Sequence, residues 1–246
     1  SAWVGFEHFI RFFNSFKFLQ VLKNTLGLSV YSLLIGFPVP IILAVLLNQM
    51  PSKKYKKIIQ TVTYAPHFIS IVVVVGMLYI FLSPRIGLIN QLFNSSIYFM
   101  GKPDYFKSLF VFSGIWQHSG FSSIIYLAAL AGIDPCLHEA AIVDGANKFQ
   151  RIWHIDLPGL TPTIIILLIL RIGRIMQLNF QKALLMQNPM NVEAAEIIQT
   201  YVYKIGLLNA QFDFATAVGI FNSVINLILL LLCNRLAKKI SNTGLF

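Results

Sequence analysis

The chain has 246 residues, of which 57% are apolar and only 11% charged, and its 19 Lys plus Arg against 9 Asp plus Glu give a formal net charge of +10. Soluble domains carry charge on roughly a quarter of their residues, and so apolar a surface is tolerated only where the solvent is lipid. The composition therefore excludes a soluble domain and a disordered chain, and two cysteines exclude a disulfide scaffold.

Five apolar stretches are long enough to cross a bilayer, which takes about 20 residues. We predict spans at 24–48, 58–82, 108–131, 161–184 and 215–236. These stretches leave too little polar sequence to cover a soluble core. The predicted fold is therefore an all-α integral membrane helix bundle, with residues 1–246 forming a single transmembrane domain.

The distribution of Lys and Arg predicts the orientation, because cytoplasmic loops are enriched in these residues. Four lysines lie within residues 53–57, between the first two spans, and residues 235–239 after the last span are also basic. Both segments are predicted to be cytoplasmic, which places 83–107 and 185–214 outside. Since orientation explains the positive charge, no nucleic-acid partner is expected.

The N-terminal segment does not fit this orientation. Five spans with a cytoplasmic C-terminus place residues 1–23 outside, although this segment carries Arg11, Lys17 and Lys23. It also shows no signal peptide. We therefore expect the native protein to have one further N-terminal span, which would make six.

The polar segment after the third span is longer than a simple connection requires. Asp134 and Pro135 predict an N-cap and the first position of a short helix. Gly145 predicts the end of that helix. A second helix is expected over 149–155 and to end before Pro158, which opens the fourth span.

The same segment resembles the EAA loop of ABC importer permeases. The matching residues are Glu139, Ala140, Ala141, Asp144, Gly145, Ala146, Ile155, Leu157 and Pro158. Further similarity to the oligosaccharide and polysaccharide branch of that family occurs in WVGFEHF at 3–9, KNTLGLS at 23–29, APHFIS at 65–70, LSPRIGLIN at 82–90 and YLAALAGID at 126–134. The resemblance covers nearly the whole chain. Members of the family normally carry one additional N-terminal span, in agreement with the expectation from charge.

The resemblance implies the fold of a type I ABC importer permease in a bacterial cytoplasmic membrane. It also implies that residues 134–160, called the EAA loop below, couple the chain to ATPase subunits. Glu139 would then face a basic residue of the ATPase, and the small Ala140 and Ala141 would permit close approach. The implied partners are a second homologous permease, two ATPase subunits that bind ATP and Mg, an extracytoplasmic solute-binding protein, membrane lipid and an oligosaccharide.

No catalytic or cofactor motif is found in the sequence. A P-loop is absent, and His138-Glu139 lacks the second histidine of a zinc protease because position 142 is Ile. We therefore expect no enzyme activity, cofactor or metal in this chain. The alternative function is a secondary transporter or channel for a small anionic or sugar solute. Such transporters usually need acidic groups near the midplane, and the predicted spans contain none.

Two arginines within the predicted fourth span are candidates for the substrate path. At 1.5 Å per residue, Arg171 would lie about 15 Å deep, with Arg174 three residues further on the same helix face. Either they satisfy freed carbonyls or an acidic group of the partner permease, or they bind carboxylates of an acidic, uronate-containing glycan. Both interpretations remain open from the sequence.

Other polar residues within the predicted spans are weaker candidates for the substrate path. They are Gln117, His118, Gln177, Asn179, Asn222 and Asn226. Amide and aromatic groups suit sugar hydroxyls, but hydrogen bonds between helices would explain these residues equally well.

Overall fold

The computed structural model describes residues 4–241, and these residues contain helices and no strand. Trp3, with which the N-terminal resemblance begins, lies outside the described residues. The all-α prediction is confirmed.

Fourteen α-helices occur in the described part of the chain. In chain order they are α1 Glu7–Phe13, α2 Phe18–Gly36, α3 Pro38–Asn48, α4 Lys53–Tyr64, α5 Ile71–Phe81, α6 Leu88–Leu92, α7 Pro103–Ala131, α8 Pro135–Val143, α9 Lys148–Arg151, α10 Leu157–Ile172, α11 Phe180–Met186, α12 Val192–Ala195, α13 Ile198–Tyr203 and α14 Phe212–Ser241. Short 3-10 segments cover Ala65–Phe68 and Phe99–Gly101, and π segments cover Ile152–Asp156 and Lys204–Leu208.

Three helical stretches are long and apolar enough to cross a membrane alone. They are Phe18–Asn48, Lys148–Ile172 and Phe212–Lys239. Two bent pairs also qualify, Lys53–Phe68 with Ile71–Phe81, bent by 100°, and Pro103–Ala131 with Pro135–Val143, bent by 70°. Counting each bent pair as one span gives five in the described residues, which agrees with the predicted number.

The helix in the region of the predicted fourth span begins and ends earlier than 161–184. It covers Lys148–Ile172, and turns replace it from Gly173 onwards. The turn is held by Asn226, whose Oδ1 accepts a 3.1 Å hydrogen bond from the N–H of Met176. Hydropathy could not reveal this ending, because the apolar sequence continues and the stabilising amide is 50 residues away.

The helices form two compact units. In the described chain, the first unit comprises residues 4–32, 70–113 and 173–230. At its centre lies Phe12, which is 1% exposed and whose ring centroid is 5.0 Å from that of Phe18 and 5.5 Å from that of Phe221. These aromatic contacts attach α1 to α2 and α14.

The second unit comprises residues 33–69, 114–172 and 231–241. Its core joins α3, α7 and α10 through Ala44, Tyr126 and Leu160, all of which are buried. The helix ending in Tyr64 packs closely on α7 at Gly120, where an added Cβ would overlap the carbonyl group of Thr63. The EAA loop belongs to this unit.

Candidate coupling loop and substrate path

The EAA loop begins with a capped helix. Asp134 Oδ1 accepts a 2.9 Å hydrogen bond from the N–H of Cys136, and Pro135 lies in the first turn of α8. After α8 ends, Gly145 adopts φ +78°, a conformation that glycine reaches without steric cost. The predicted N-cap and the predicted break at Gly145 are both confirmed.

The second half of the EAA loop differs from the prediction. Helix α9 begins at a capping box in which Asn147 and Gln150 exchange hydrogen bonds of 2.8 and 2.9 Å. The prediction that this helix ends before Pro158 is wrong, because it continues through the π segment Ile152–Asp156 into α10. Proline has no N–H for the carbonyl four residues earlier, and a local π turn accommodates that missing bond within a continuous helix.

The motif residues of the EAA loop are largely accessible. Glu139, Ala140, Asp144, Gly145 and Pro158 are exposed, while Ala141, Ala146, Ile155 and Leu157 are half-buried. Apolar side chains accompany them, since Val143 is 87% exposed and the rings of Phe149 and Trp153, stacked at 6.5 Å, are 72% and 61% exposed. Helix α8 has no buried residue. Exposed aromatic and apolar groups of this kind are typical of a surface that a partner completes.

The two candidate arginines flank the end of a helix. Helix α10 ends at Ile172, so Arg171 lies in its last turn and Arg174 in the turn that follows. The expectation that they share one helix face near the middle of the span is therefore wrong. Both residues are exposed, and within residues 4–241 neither guanidinium group makes a hydrogen bond or ion pair with another side chain. Two cations are thus available for an anionic group outside this chain.

Gln117 and His118, both on α7, lie beside the break between α4 and α5, where the 3-10 segment Ala65–Phe68 interrupts the helix. The Nε2 of Gln117, a buried residue, donates a 2.8 Å hydrogen bond to the carbonyl of Ile69, which the break leaves without a helical partner. The Nδ1 atoms of His118 and His67 are 3.1 Å apart, and the His67 ring stacks on Phe121 at 4.1 Å. The Gln117 amide therefore stabilises the broken helix, and its role in a substrate path stays a prediction.

The four remaining path candidates lie in the first unit. Asn226 bonds the turn at Met176, and Asn179 caps α11 by accepting a 3.0 Å hydrogen bond from the N–H of Lys182. Gln177 is exposed and Asn222 is half-buried. The structure thus uses Asn179 and Asn226 for backbone contacts, and contact of these four residues with substrate stays a prediction.

One buried lysine was missed by the sequence reasoning. Lys182 is 2% exposed, and its Nζ donates a 2.8 Å hydrogen bond to the carbonyl of Phe110. Helix α11 lies outside the helices long enough to span a membrane. Burial lowers the pKa of Lys182 to about 7, because the charged ammonium is poorly solvated there. No local pattern marks this residue, since its acceptor is 72 positions away.

The 185–214 loop contains a second polar cluster that the sequence did not reveal. Glu196 is 4% exposed, and its carboxylate accepts hydrogen bonds of 2.8 Å from Lys17 and 2.9 Å from Lys204. Burial raises the pKa of Glu196, but the hydrogen bonds and charges of the two lysines outweigh it and hold this pKa below its ordinary value. Asn191 is also buried, and its Nδ2 bonds the carbonyls of Met100 and Met186. Asn191 and Glu196 therefore find their hydrogen-bond partners within the chain.

Within residues 4–241, no group of three or more His, Cys, Asp or Glu side chains is placed so that it could hold a metal ion. Residues 36–242 match the family described as binding-protein-dependent transport system inner membrane component.

Similar proteins are known by sequence and by structure. The chain is 46% identical, over its full length and 78% of the relative, to the polygalacturonan/rhamnogalacturonan transport system permease protein YteP of Bacillus subtilis (strain 168). It is similar at TM-score 0.95 and 44% identity to a chain of a bacterial ABC transporter involved in the import of the acidic polysaccharide alginate, with 98% of this chain and 86% of that one covered. A bacterial alginate ABC transporter in complex with an alginate pentasaccharide-bound periplasmic protein gives TM-score 0.95 and 45% identity, covering 98% and 85%.

Proposed function

The chain belongs to the family of binding-protein-dependent transport system inner membrane components, as a permease subunit of an ABC importer, and from this premise we propose that it imports acidic, uronate-containing oligosaccharides or polysaccharides. The alternative of a secondary transporter or channel is wrong, because residues 36–242 match the importer family. The proposal concerns the charge of the substrate and the residues that contact it.

The observation that carries the proposal is the pair of exposed, unpaired guanidinium groups of Arg171 and Arg174. A cation in or near a membrane span is costly without a partner. A uronate carboxylate is a suitable partner because a guanidinium group can bind it with two parallel hydrogen bonds. The two relatives named for their cargo handle polygalacturonan/rhamnogalacturonan and the acidic polysaccharide alginate, which supports an acidic substrate here.

The proposed mechanism is alternating access driven by partner ATPases. Closure of the ATPase dimer displaces the EAA loop, and the helices attached to that loop open the path to one side and then to the other. The exposed Glu139 and the accessible alanines beside it suit a docked ATPase, and the exposed Phe149 and Trp153 enlarge that surface. ATP and Mg are bound by the partner subunits.

The proposed assembly contains this chain, a second homologous permease, two ATPase subunits and an extracytoplasmic solute-binding protein. The complex of an alginate transporter with a ligand-bound periplasmic protein supports the last of these partners. We place the assembly in a bacterial cytoplasmic membrane with the C-terminus in the cytoplasm, because the basic residues 53–57 and 235–239 favour that side.

Removing the two positive charges tests the substrate assignment. Charge-assisted hydrogen bonds contribute about 1.5–3 kcal/mol each, so Arg171→Gln and Arg174→Gln should each lower uptake of an acidic oligosaccharide into proteoliposomes at least about tenfold. The matched control is Arg85→Gln, an exposed arginine in the 83–107 segment, which should leave uptake unchanged. Uptake by the double variant equal to that of the wild type would refute the substrate contact.

A further inference from the structure

A fully buried carboxylate lies within the EAA loop, and it has no part in the proposed contacts with the ATPase or the substrate. Asp156, the last residue of the π segment, is 0% exposed. Burying an ionised carboxylate is costly unless its surroundings compensate for the lost water. The presence of this residue therefore requires an explanation from its contacts.

Three separate elements meet at the Asp156 carboxylate. Its Oδ2 accepts a 2.7 Å hydrogen bond from Nε2 of Gln49, the residue directly after α3. Its Oδ1 lies 3.3 Å from Nε2 of His138 on α8, in a polar contact that lacks the alignment of a hydrogen bond. All three residues belong to the same compact unit. One side chain thus joins the end of α3, the motif helix α8 and the start of α10.

The covalent connection between α8 and α10 cannot by itself transmit a displacement of α8 to α10. Between these helices the chain passes through Gly145, which is exposed, has a positive φ and has open space around it. A displacement of α8 could be absorbed by rotation at this turn, because glycine is conformationally permissive. A rigid link between α8 and the spans must therefore come from noncovalent contacts such as those of Asp156.

We infer that Asp156 is a positioning residue for ATP-driven transport, which fastens α8 to the end of α3 and the start of α10 so that a displacement of α8 reaches two membrane helices together. The inference rests on the proposed coupling role of the EAA loop. Asp156 is buried and touches neither ATP nor substrate. Its effect is exerted through Gln49 and His138.

The test compares Asp156→Asn and His138→Gln in the complete reconstituted importer. The readout is the number of substrate molecules taken up per ATP hydrolysed, measured with complex yield and thermal stability. We expect ATP hydrolysis to stay within about twofold of wild type while uptake falls about tenfold. Asp104→Asn is the matched control, because it makes the same chemical change at an exposed aspartate outside the EAA loop.

The double variant and the wild type distinguish a failure of this inference from a failure of the proposed function. If Asp156 and His138 act as one contact, the double variant should be no worse than the poorer single variant. An unchanged ratio of uptake to hydrolysis in the variants of a coupled importer overturns this inference alone. Should Asp156→Asn fail to assemble, His138→Gln decides, since His138 is partly exposed, and a wild-type ratio in that variant overturns the inference. A wild-type complex whose uptake is independent of ATP overturns the proposed function as well.

Discussion

The EAA loop and the 185–214 loop are both long polar connections between membrane helices, but they differ in how far their side chains are buried. In the 185–214 loop, Asn191 and Glu196 are buried and fully engaged with groups of the same chain. In the EAA loop, α8 has no buried residue, and Phe149 and Trp153 are mostly exposed. Buried and engaged side chains such as Asn191 and Glu196 suit a fixed structure, whereas the exposed surface of α8 and α9 suits contact with a partner.

The two loops contain the same tripeptide, which provides the sharpest contrast. Glu139-Ala140-Ala141 lies in the EAA loop and Glu193-Ala194-Ala195 in the other, and both glutamates are exposed. Glu139→Arg would place a positive charge against the basic residue expected on the ATPase, which costs several kcal/mol at an interface. Uptake should therefore fall about 100-fold or more, with little change in the thermal unfolding temperature of the permease.

Glu193→Arg is the matched control for that charge reversal. It should leave ATP hydrolysis and its stimulation by substrate close to wild type, because the 185–214 loop is predicted to lie on the other side of the membrane. Equal loss of uptake in both variants would contradict the proposed difference in function between the two loops.

The second prediction concerns the free energy of unfolding. Here a substitution in the 185–214 loop should have a larger effect than one in the EAA loop. Asn191→Ala leaves the Met186 carbonyl without its side-chain donor and the N–H of Asn188 without its acceptor, while the Met100 carbonyl keeps its bond from Asn188. Each buried group left unsatisfied costs about 1–3 kcal/mol, so we expect a loss of about 2–4 kcal/mol. Asn147→Ala in the EAA loop removes only an exposed helix cap, at about 1 kcal/mol. Thermal unfolding of both variants should show the larger shift for Asn191→Ala, and the opposite order would contradict the comparison.

The smallest expected effect depends on pH. The pKa of Glu196 is lower in the folded chain than in the unfolded chain, so its contribution to stability is present above the unfolded pKa and is lost as the pH falls through the folded pKa. Glu196→Gln should therefore destabilise the protein at neutral pH by about 1 kcal/mol. The difference from wild type should shrink in acid, and a difference that grows as the pH falls would show that Lys17 and Lys204 do not stabilise the carboxylate.

Local chemistry predicted the parts of the structure that depend on neighbouring residues. The cap at Asp134 and the positive φ at Gly145 follow from short-range rules, and the number of spans follows from runs of apolar residues. The end of the fourth span was not predictable, because it depends on Asn226, and the engagement of Asp156 depends on Gln49, 107 residues away. Such pairings become visible only when the helices are packed.

The same contrast between contacts of neighbouring residues and contacts of distant residues applies to the candidate site. The EAA motif was recognisable because its residues are close together in sequence, and the structure adds the surrounding Phe149 and Trp153. Arg171 and Arg174 were recognised as unusual cations in an apolar stretch, but their exposure and the helix end between them were not foreseen. Periodicity assumes a continuous helix, and that assumption failed at Gly173.

The most direct test of the central claim measures ATP hydrolysis by the complete reconstituted importer in the presence of its binding protein. The two ligands to compare are an oligogalacturonate and the same oligosaccharide with its carboxyl groups reduced to alcohols, which differ in charge and little in size. We predict that the acidic oligosaccharide stimulates hydrolysis and is taken up, while the neutral one has little effect. Equal stimulation by both, or preference for the neutral form, would contradict the assignment of an acidic glycan as the substrate.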